Sequence, residues 1–454
     1  MRVLLIQPPS PERLGAPLLG LQYVIAALLE EGCEVRVIDG AARGFSRDAE
    51  WIAREAREFA PQVIGVSLFT RWVWHAYQLV ELLRGGDWVM VAGGAHATVR
   101  AEETLRRGFD VALTGEAEWS VRRLVRWVDG HDDIGEVPGA VFRRGDGSVG
   151  YGPPAQFVDD LDGLPMPHVA QPLFDARWYG DGAAVVPGGV LTSRGCPARC
   201  TFCANHVTGR RFRHRSAENV VQELNAWHRE SGLTHFPFWD DAFTAEPARL
   251  VSLCEALRNG LEFPLSFGAI TRANMVTPAL LRLMRQAGLM HVNFGVESGD
   301  DAILKAIRKG VRTEQVVRAL EWAKSEGLVT ACNFMLGFPQ ETEVELERTL
   351  RFMERIAPMV DAFSTMGVVV PFPGTPIYDE YHFPYGFTDW WLQERYSRYM
   401  AAPPMEDAEA FHRYYIDDGN LQLDFFRYSR GVREMIGQCL RYKAEHNLRR
   451  MRAA

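Results

Sequence analysis

The chain has 454 residues, a length that fits two or three domains. Hydrophobic residues make up 47% and charged residues 24%, enough apolar material for ordinary buried cores, which excludes wholesale disorder. Basic and acidic totals of 50 and 58 leave a net charge of −8 with no long basic block, so nucleic acid is not expected as the main partner.

The lysines are confined to Lys305, Lys309, Lys324 and Lys443, which removes a Walker-type phosphate loop from the N-terminal half. The apolar run Leu18–Leu29 contains Gln22 and falls short of the roughly 20 residues a membrane span needs. Arg2 is followed directly by a strand-like run instead of a leader with an apolar h-region. A cytoplasmic protein with no membrane partner is expected.

Over residues 1–130, short β-branched runs alternate with helical patterns, the mark of a doubly wound parallel sheet. Strands are predicted at Val3–Gln7, Glu34–Ile38, Val63–Ser67, Trp88–Ala92 and Val111–Thr114. Helices are predicted at Leu18–Glu31, Asp48–Phe59, Trp72–Arg84, Ala101–Arg107 and Glu118–Val128. Such a sheet binds ligands beyond the carboxyl ends of its strands, here the loops Pro8–Pro17, Leu68–His75, Gly93–Thr98 and Gly115–Trp119. A dinucleotide is not expected, because Gln7-Pro8-Pro9-Ser10-Pro11 stands where a glycine fingerprint belongs.

Residues 131–184 read as a linker, with a small hairpin around Gly145-Asp146-Gly147 and a proline-rich stretch Asp162–Pro167. The α/β alternation resumes over 185–376, with strands near Val190–Ser193, His235–Trp239, Leu265–Ile270, His291–Val296, Val329–Leu336 and Ala362–Val370. Helical patterns between them include Ala217–Ser231, Thr277–Ala287 and Glu343–Ile356. Six such units predict a partial (β/α)6 barrel. Residues 377–454, with segments Asp389–Met400 and Ala408–Tyr415, are expected to form a mostly helical C-terminal cap.

The strongest chemical signal is Cys196-Pro197-Ala198-Arg199-Cys200-Thr201-Phe202-Cys203, directly after the first barrel strand. Three thiolates on one loop can hold three irons of a cubane cluster and leave the fourth iron open. Zinc with His206 as a fourth ligand is the alternative, but structural zinc usually draws on separated ligand pairs. Cys33, Cys254, Cys332 and Cys439 are scattered singly and suggest no disulfide framework.

This loop resembles the cluster-binding motif of the radical S-adenosylmethionine (SAM) superfamily, including the aromatic Phe202. The resemblance implies a [4Fe–4S] cluster held by Cys196, Cys200 and Cys203, with SAM chelated at the open iron and Phe202 near its adenine. One-electron reduction would then cleave SAM into methionine and a 5′-deoxyadenosyl radical that takes hydrogen from a small-molecule substrate. It also implies a one-electron donor such as flavodoxin or ferredoxin.

Further segments resemble the branch of that superfamily carrying an N-terminal cobalamin-type domain. These are Phe238–Thr244, Thr271–Asn274, Gly295–Gly299, Gly337–Pro339 and Pro371–Pro376, and in the first domain Gln7–Pro9, Gly20–Tyr23, Gly93–Ala97 and Thr114–Glu118. The likeness implies SAM-binding roles for Glu297, then for Asp240, Asp241 and Arg272, with Ser298 beside them. The catalytic candidates are Asp240, Asp241 and His206, while His214 and His235 stand as further proton-transfer candidates. Paired carboxylates, though, often only cap the next helix.

The axial-histidine motif DxHxxG is absent, and Arg71, Trp72, Trp74 and His75 follow the third strand where a cobalamin tail needs space. Cobalamin is therefore not favoured as a cofactor. The motif set also resembles radical diol dehydratases of aminoglycoside biosynthesis, the apramycin pathway among them. The favoured expectation is thus cobalamin-independent dehydration of a vicinal diol on an aminosugar, a lyase reaction that a partner reductase could follow. The alternatives are a cobalamin-dependent radical SAM C-methyltransferase of natural-product biosynthesis and an iron–sulfur sensor without turnover.

Overall fold

The computed structural model describes residues 1–11, 14–42, 45, 47–179, 188–399 and 423–453. Two compact units emerge, Met1–Gly188 with Asp389–Ala401, and Gly189–Thr388 with Ala402–Ala454. Among the described residues no helix is long and apolar enough to cross a membrane.

In the first unit, β1 (Arg2–Gln7), β2 (Glu34–Asp39), β3 (Val63–Ser67), β4 (Val89–Gly93) and β5 (Val111–Leu113) form a parallel array in the order β2-β1-β3-β4-β5. The near-continuous apolar runs suit strands covered on both faces: Val3, Leu4, Leu5 and Ile6 are all buried. Helices Leu19–Glu30 and Glu118–Val128 pack together, as do Ala49–Phe59 and Val73–Leu83. The expected linker hairpin, β6 (Ala140–Arg143) and β7 (Val149–Tyr151), joins the same sheet antiparallel to β5, making seven strands.

One helix begins earlier than expected. The Gly93-Gly94 pair reads as a turn, yet helix Gly94–Arg106 starts directly from β4 and breaks at Arg100, whose φ of −136° and ψ of 38° are not helical. A side chain at Gly94 would come within 2.9 Å of the Leu68 carbonyl oxygen, so the ends of β3 and β4 approach closely.

Chain from beyond the barrel returns to this unit. The single-turn helix Trp390–Leu392 buries both tryptophans, and Trp391 Nε1 donates to the two oxygens of Glu103 at 3.1 Å each. Glu103 also accepts from Tyr77 Oη at 2.8 Å. Thus the residues 377–399 expected as part of one cap are shared between the units, and the expected helical segment Ala408–Tyr415 lies outside the described residues.

The second unit is built on a parallel sheet of β10 (His235–Phe238), β11 (Ser266–Thr271), β12 (Leu289–Glu297), β13 (Val329–Leu336) and β14 (Ala362–Val368), in that order. The first of the six expected strands, Val190–Ser193, is reduced to a bridge from Val190 to Phe238 and to β8 (Ser193–Arg194), which pairs antiparallel with β9 (Arg213–His214). Val292, Phe294 and Val296 of β12, and Cys332, Phe334 and Leu336 of β13, face the helices and form one core with Trp227 and Leu253. Helix Ala217–Ser231 starts where Ser216 accepts from the Asn219 amide and stops at the left-handed Gly232. Helix Glu343–Ile356 is opened by a capping box between Thr342 and Glu345.

Candidate functional site

The cysteine loop follows β8 and is shaped by its own main chain. Gly195 has φ of +86° and a side chain there would collide with the Arg211 carbonyl, so only glycine fits. Asn205 Nδ2 donates to the carbonyl oxygens of Ala198 at 2.8 Å and Cys196 at 3.3 Å, folding the loop back on itself. The Thr201 amide donates to the Ile307 carbonyl oxygen at 3.0 Å, which ties the loop to the turn after helix Asp301–Ala306. Cys196 and Cys200 are buried and Cys203 is half-buried. Burial raises the thiols of Cys196 and Cys203, the latter to about 11.

Asp240, the residue after Trp239 at the end of β10, is almost wholly buried and its carboxylate is turned to the base of this loop. It accepts from Thr192 Oγ1 at 2.6 Å, from the Thr192 amide at 3.3 Å and from Ser193 Oγ. Asp241 is exposed and accepts from the Gly195 amide at 3.1 Å. Both carboxylates therefore brace the strand and first turn that carry the cysteines, a role that differs from capping the next helix.

Arg272, just past β11, is buried and donates from Nη1 to Cys200 Sγ at 3.3 Å, while its Nε has no partner. The guanidinium places a positive charge beside the thiols. Glu297, the last residue of β12, is buried with φ of +73°, a backbone region costly for a side chain of its size. Lys309 Nζ donates to Glu297 Oε1 at 2.6 Å and lies 5.9 Å from the centre of the Phe202 ring. Phe202 in turn packs on Phe338 with centroids 5.8 Å apart. Sequence reasoning missed Lys309; a scarce lysine twelve residues after Glu297 was the available signal.

Other candidates lie less centrally. Ser298 Oγ meets Thr349 Oγ1 at 3.2 Å and accepts from the Asp300 amide, so the hydroxyl is committed to the helix behind. Burial lowers the pKa of the half-buried His206, which has Asp379 as a charged neighbour. His214 and His235 bond the Arg215 carbonyl and the Ser266 hydroxyl respectively.

The donor set fits a cubane cluster. Among the described residues no three His, Cys, Asp or Glu groups gather as they would round a single ion, whereas a cubane places each cysteine on a separate iron. Three soft sulfurs and an adjacent guanidinium suit that group.

In the first unit, buried polar atoms without partners include Gln7 Oε1 at the end of β1, both amide atoms of Gln22 on helix Leu19–Glu30, and Trp72 Nε1 and His75 Nε2 in the segment after β3. A corrinoid, rimmed by carboxamide arms that donate and accept, fits such a set. Asp39, at the end of β2, accepts from Tyr179 Oη at 2.7 Å, and burial pushes its carboxyl up to about 6.

A partial barrel with a three-cysteine loop at its mouth, preceded by a doubly wound sheet, defines a two-part α/β enzyme of cluster-dependent SAM chemistry. Residues 190–353 match the radical SAM superfamily and residues 15–125 match the B12 binding domain. An uncharacterized methyltransferase of Pyrococcus horikoshii is 30% identical over 392 residues, covering 84% of this chain and 83% of that protein. An anaerobic magnesium-protoporphyrin IX monomethyl ester cyclase of Synechocystis is 29% identical over 77% of this chain and 72% of its own. In fold, the chain resembles a radical SAM methyltransferase from Kitasatospora setae solved with cobalamin and a [4Fe–4S] cluster, with a TM-score of 0.66 and 20% identity over 84% of this chain and 74% of that one. The chain belongs to the radical SAM superfamily, in the branch that carries a B12-binding domain.

These findings overturn two expectations. Cobalamin was not favoured on the bulk of Arg71, Trp72, Trp74 and His75, but the B12-binding match spans those positions. Side-chain volume alone does not decide this: Trp72 is buried against Phe69, with ring centroids 5.3 Å apart, under the guanidinium of Arg71. Cobalamin-independent diol dehydration of an aminosugar, with its lyase and aminoglycoside assignments, gives way to the methyltransferase alternative, because the B12-binding domain is present and the Pyrococcus relative carries a methyltransferase name.

Proposed function

We propose that this protein is a cobalamin-dependent radical SAM C-methyltransferase acting on a small molecule of natural-product biosynthesis. The observation that carries the reading is the union, in one chain, of a B12-binding domain with a barrel whose cysteine loop offers three sulfurs and no fourth. Loaded, the cluster would supply single electrons to SAM, and the corrinoid would supply the methyl group.

The chain's own residues would do the binding and orienting. Cys196, Cys200 and Cys203 would hold three irons, with Arg272 offsetting their negative charge. Asp240 and Asp241 would keep the loop in register through Thr192, Ser193 and Gly195. Glu297 and Phe202 would receive SAM, and Gln7 and Gln22 would meet the corrinoid's amide arms. A flavodoxin or ferredoxin would deliver the electron.

The test is anaerobic reconstitution with iron, sulfide and hydroxocobalamin, followed by addition of SAM and a strong one-electron reductant. Bound corrinoid near one per chain, together with S-adenosylhomocysteine formed before any substrate is added, is expected. Protein that holds its cluster but no corrinoid, and makes deoxyadenosine without S-adenosylhomocysteine, would refute methyl transfer.

A further inference from the structure

Resting on the reading that SAM binds at the barrel mouth, we propose that Lys309 is a positioning residue that sets the Glu297 carboxylate for SAM. Five observations meet at the Glu297–Lys309 pair. The register of β12 against β13 slips between Gly295 and Glu297, so the strand bulges and re-aims the Glu297 side chain. A left-handed φ of +73° at Glu297 persists only where the surroundings over-determine it.

Gly295 leaves room for the pair. A side chain there would stand 2.8 Å from both Glu297 Oε1 and Lys309 Nζ. The ion pair occupies that vacated space, with both residues buried. Among the described residues Lys309 engages only Oε1, and Glu297 Oε2 has no hydrogen-bond partner. An oxygen so held accepts from hydroxyl or ammonium donors, both of which SAM carries.

The turn bearing Lys309 is also tied to the cysteine loop. Ile307 accepts from the Thr201 amide at 3.0 Å, Arg308 has φ of +55°, and Lys309 Nζ stands 5.9 Å from the Phe202 ring. Lys309 thereby links the loop that would carry the cluster to the carboxylate that would carry SAM. A buried pair that merely braced the barrel would need no tether to the cysteine loop and no unpaired oxygen.

The test is calorimetric titration of SAM into cluster-reconstituted protein without reductant, so that binding is read apart from turnover. Wild type is compared with Lys309→Met, Lys309→Arg, Glu297→Gln and the double variant, and iron content is recorded for each. Lys309→Met should weaken SAM binding about tenfold or more with iron content unchanged, and Lys309→Arg should recover part of it. If Lys309 acts through Glu297, the double variant binds no more weakly than Glu297→Gln alone.

Lys309→Met leaves a buried carboxylate unpaired and could fail to fold. Where Lys309→Met does not fold, Lys309→Arg, which keeps the carboxylate paired, decides: weaker SAM binding than wild type at full iron content supports the inference, and wild-type binding overturns it. Wild-type affinity in Lys309→Met, or a further loss in the double variant beyond Glu297→Gln, overturns it. Wild-type protein with a full cluster and no SAM binding is a different result, which overturns the proposed function and the inference with it.

Discussion

Asn447 spends both ends of its side-chain amide on one residue of the outermost barrel strand. Its Nδ2 donates to the Phe363 carbonyl oxygen at 2.9 Å and its Oδ1 accepts from the Phe363 amide at 3.0 Å. Phe363 lies on β14, the last strand of the five-stranded sheet, and Asn447 on helix Arg430–Ala453. An edge strand presents unpaired main-chain groups, and here a side chain completes them. Asn447→Leu should cost about 1–3 kcal/mol by leaving two buried groups unpaired. Hydrogen exchange at the Phe363 amide should accelerate; unchanged exchange would show that the helix covers the edge without these bonds.

Gly295→Ala puts a methyl group 2.8 Å from each member of the Glu297–Lys309 pair. The pair must separate or the strand must shift, so SAM affinity should fall while iron content holds. Loss of the cluster along with SAM binding would mean the strand had moved instead.

Each of Cys196→Ala, Cys200→Ala and Cys203→Ala should abolish the iron–sulfur absorbance and SAM cleavage together, because a three-cysteine cluster has no spare ligand. Cys33, Cys254, Cys332 and Cys439 are buried elsewhere as free thiols. Their single alanine variants should retain full iron content. Iron lost from Cys332→Ala would reassign the ligands.

Burial pushes the Asp39 carboxyl up to about 6 in the folded chain. The unfolded value lies near 3.9, so the native state binds more protons over the window from about pH 4 to pH 6, and stability falls as pH rises through it. Asp39→Asn removes the titration, and its single oxygen keeps either Tyr179 Oη or the Ala41 amide as a donor, where Asp39 serves both. It should stabilise the protein at pH 7 by up to roughly 2–3 kcal/mol and flatten the stability profile below pH 6. A variant no more stable than wild type at pH 7 would show that losing one of these two bonds, from Tyr179 or from Ala41, outweighs the relief of burial.

What was legible in the sequence was what neighbours along the chain can encode. The apolar run Val3–Ile6, the Ser216 cap with Gly232 at the far end of its helix, and the cysteine loop are each written within a few residues. What escaped depends on residues far apart or on unusual backbone. Lys309 meets Glu297 across twelve positions of chain in which both Glu297 and Arg308 adopt positive φ. Asn447 and Phe363 stand 84 positions apart, and no local pattern links them. The bulk of Trp72 was visible, but the sequence does not say that its ring folds against Phe69.

The return of Asp389–Ala401 to the first unit has a consequence for the order in which the protein can be made. A chain emerging from the ribosome exposes residues 1–188 long before Trp390 and Trp391 exist to cover them, and the entire strand array from β10 to β14 must be synthesised in between. Until then Glu103 lacks the indole donor that both its oxygens use. The first unit therefore waits, incompletely sealed, for about the last seventh of the chain. A fragment ending at Gly188 would be caught permanently in that nascent condition, its Glu103 held by Tyr77 and His96 but never by the indole of Trp391.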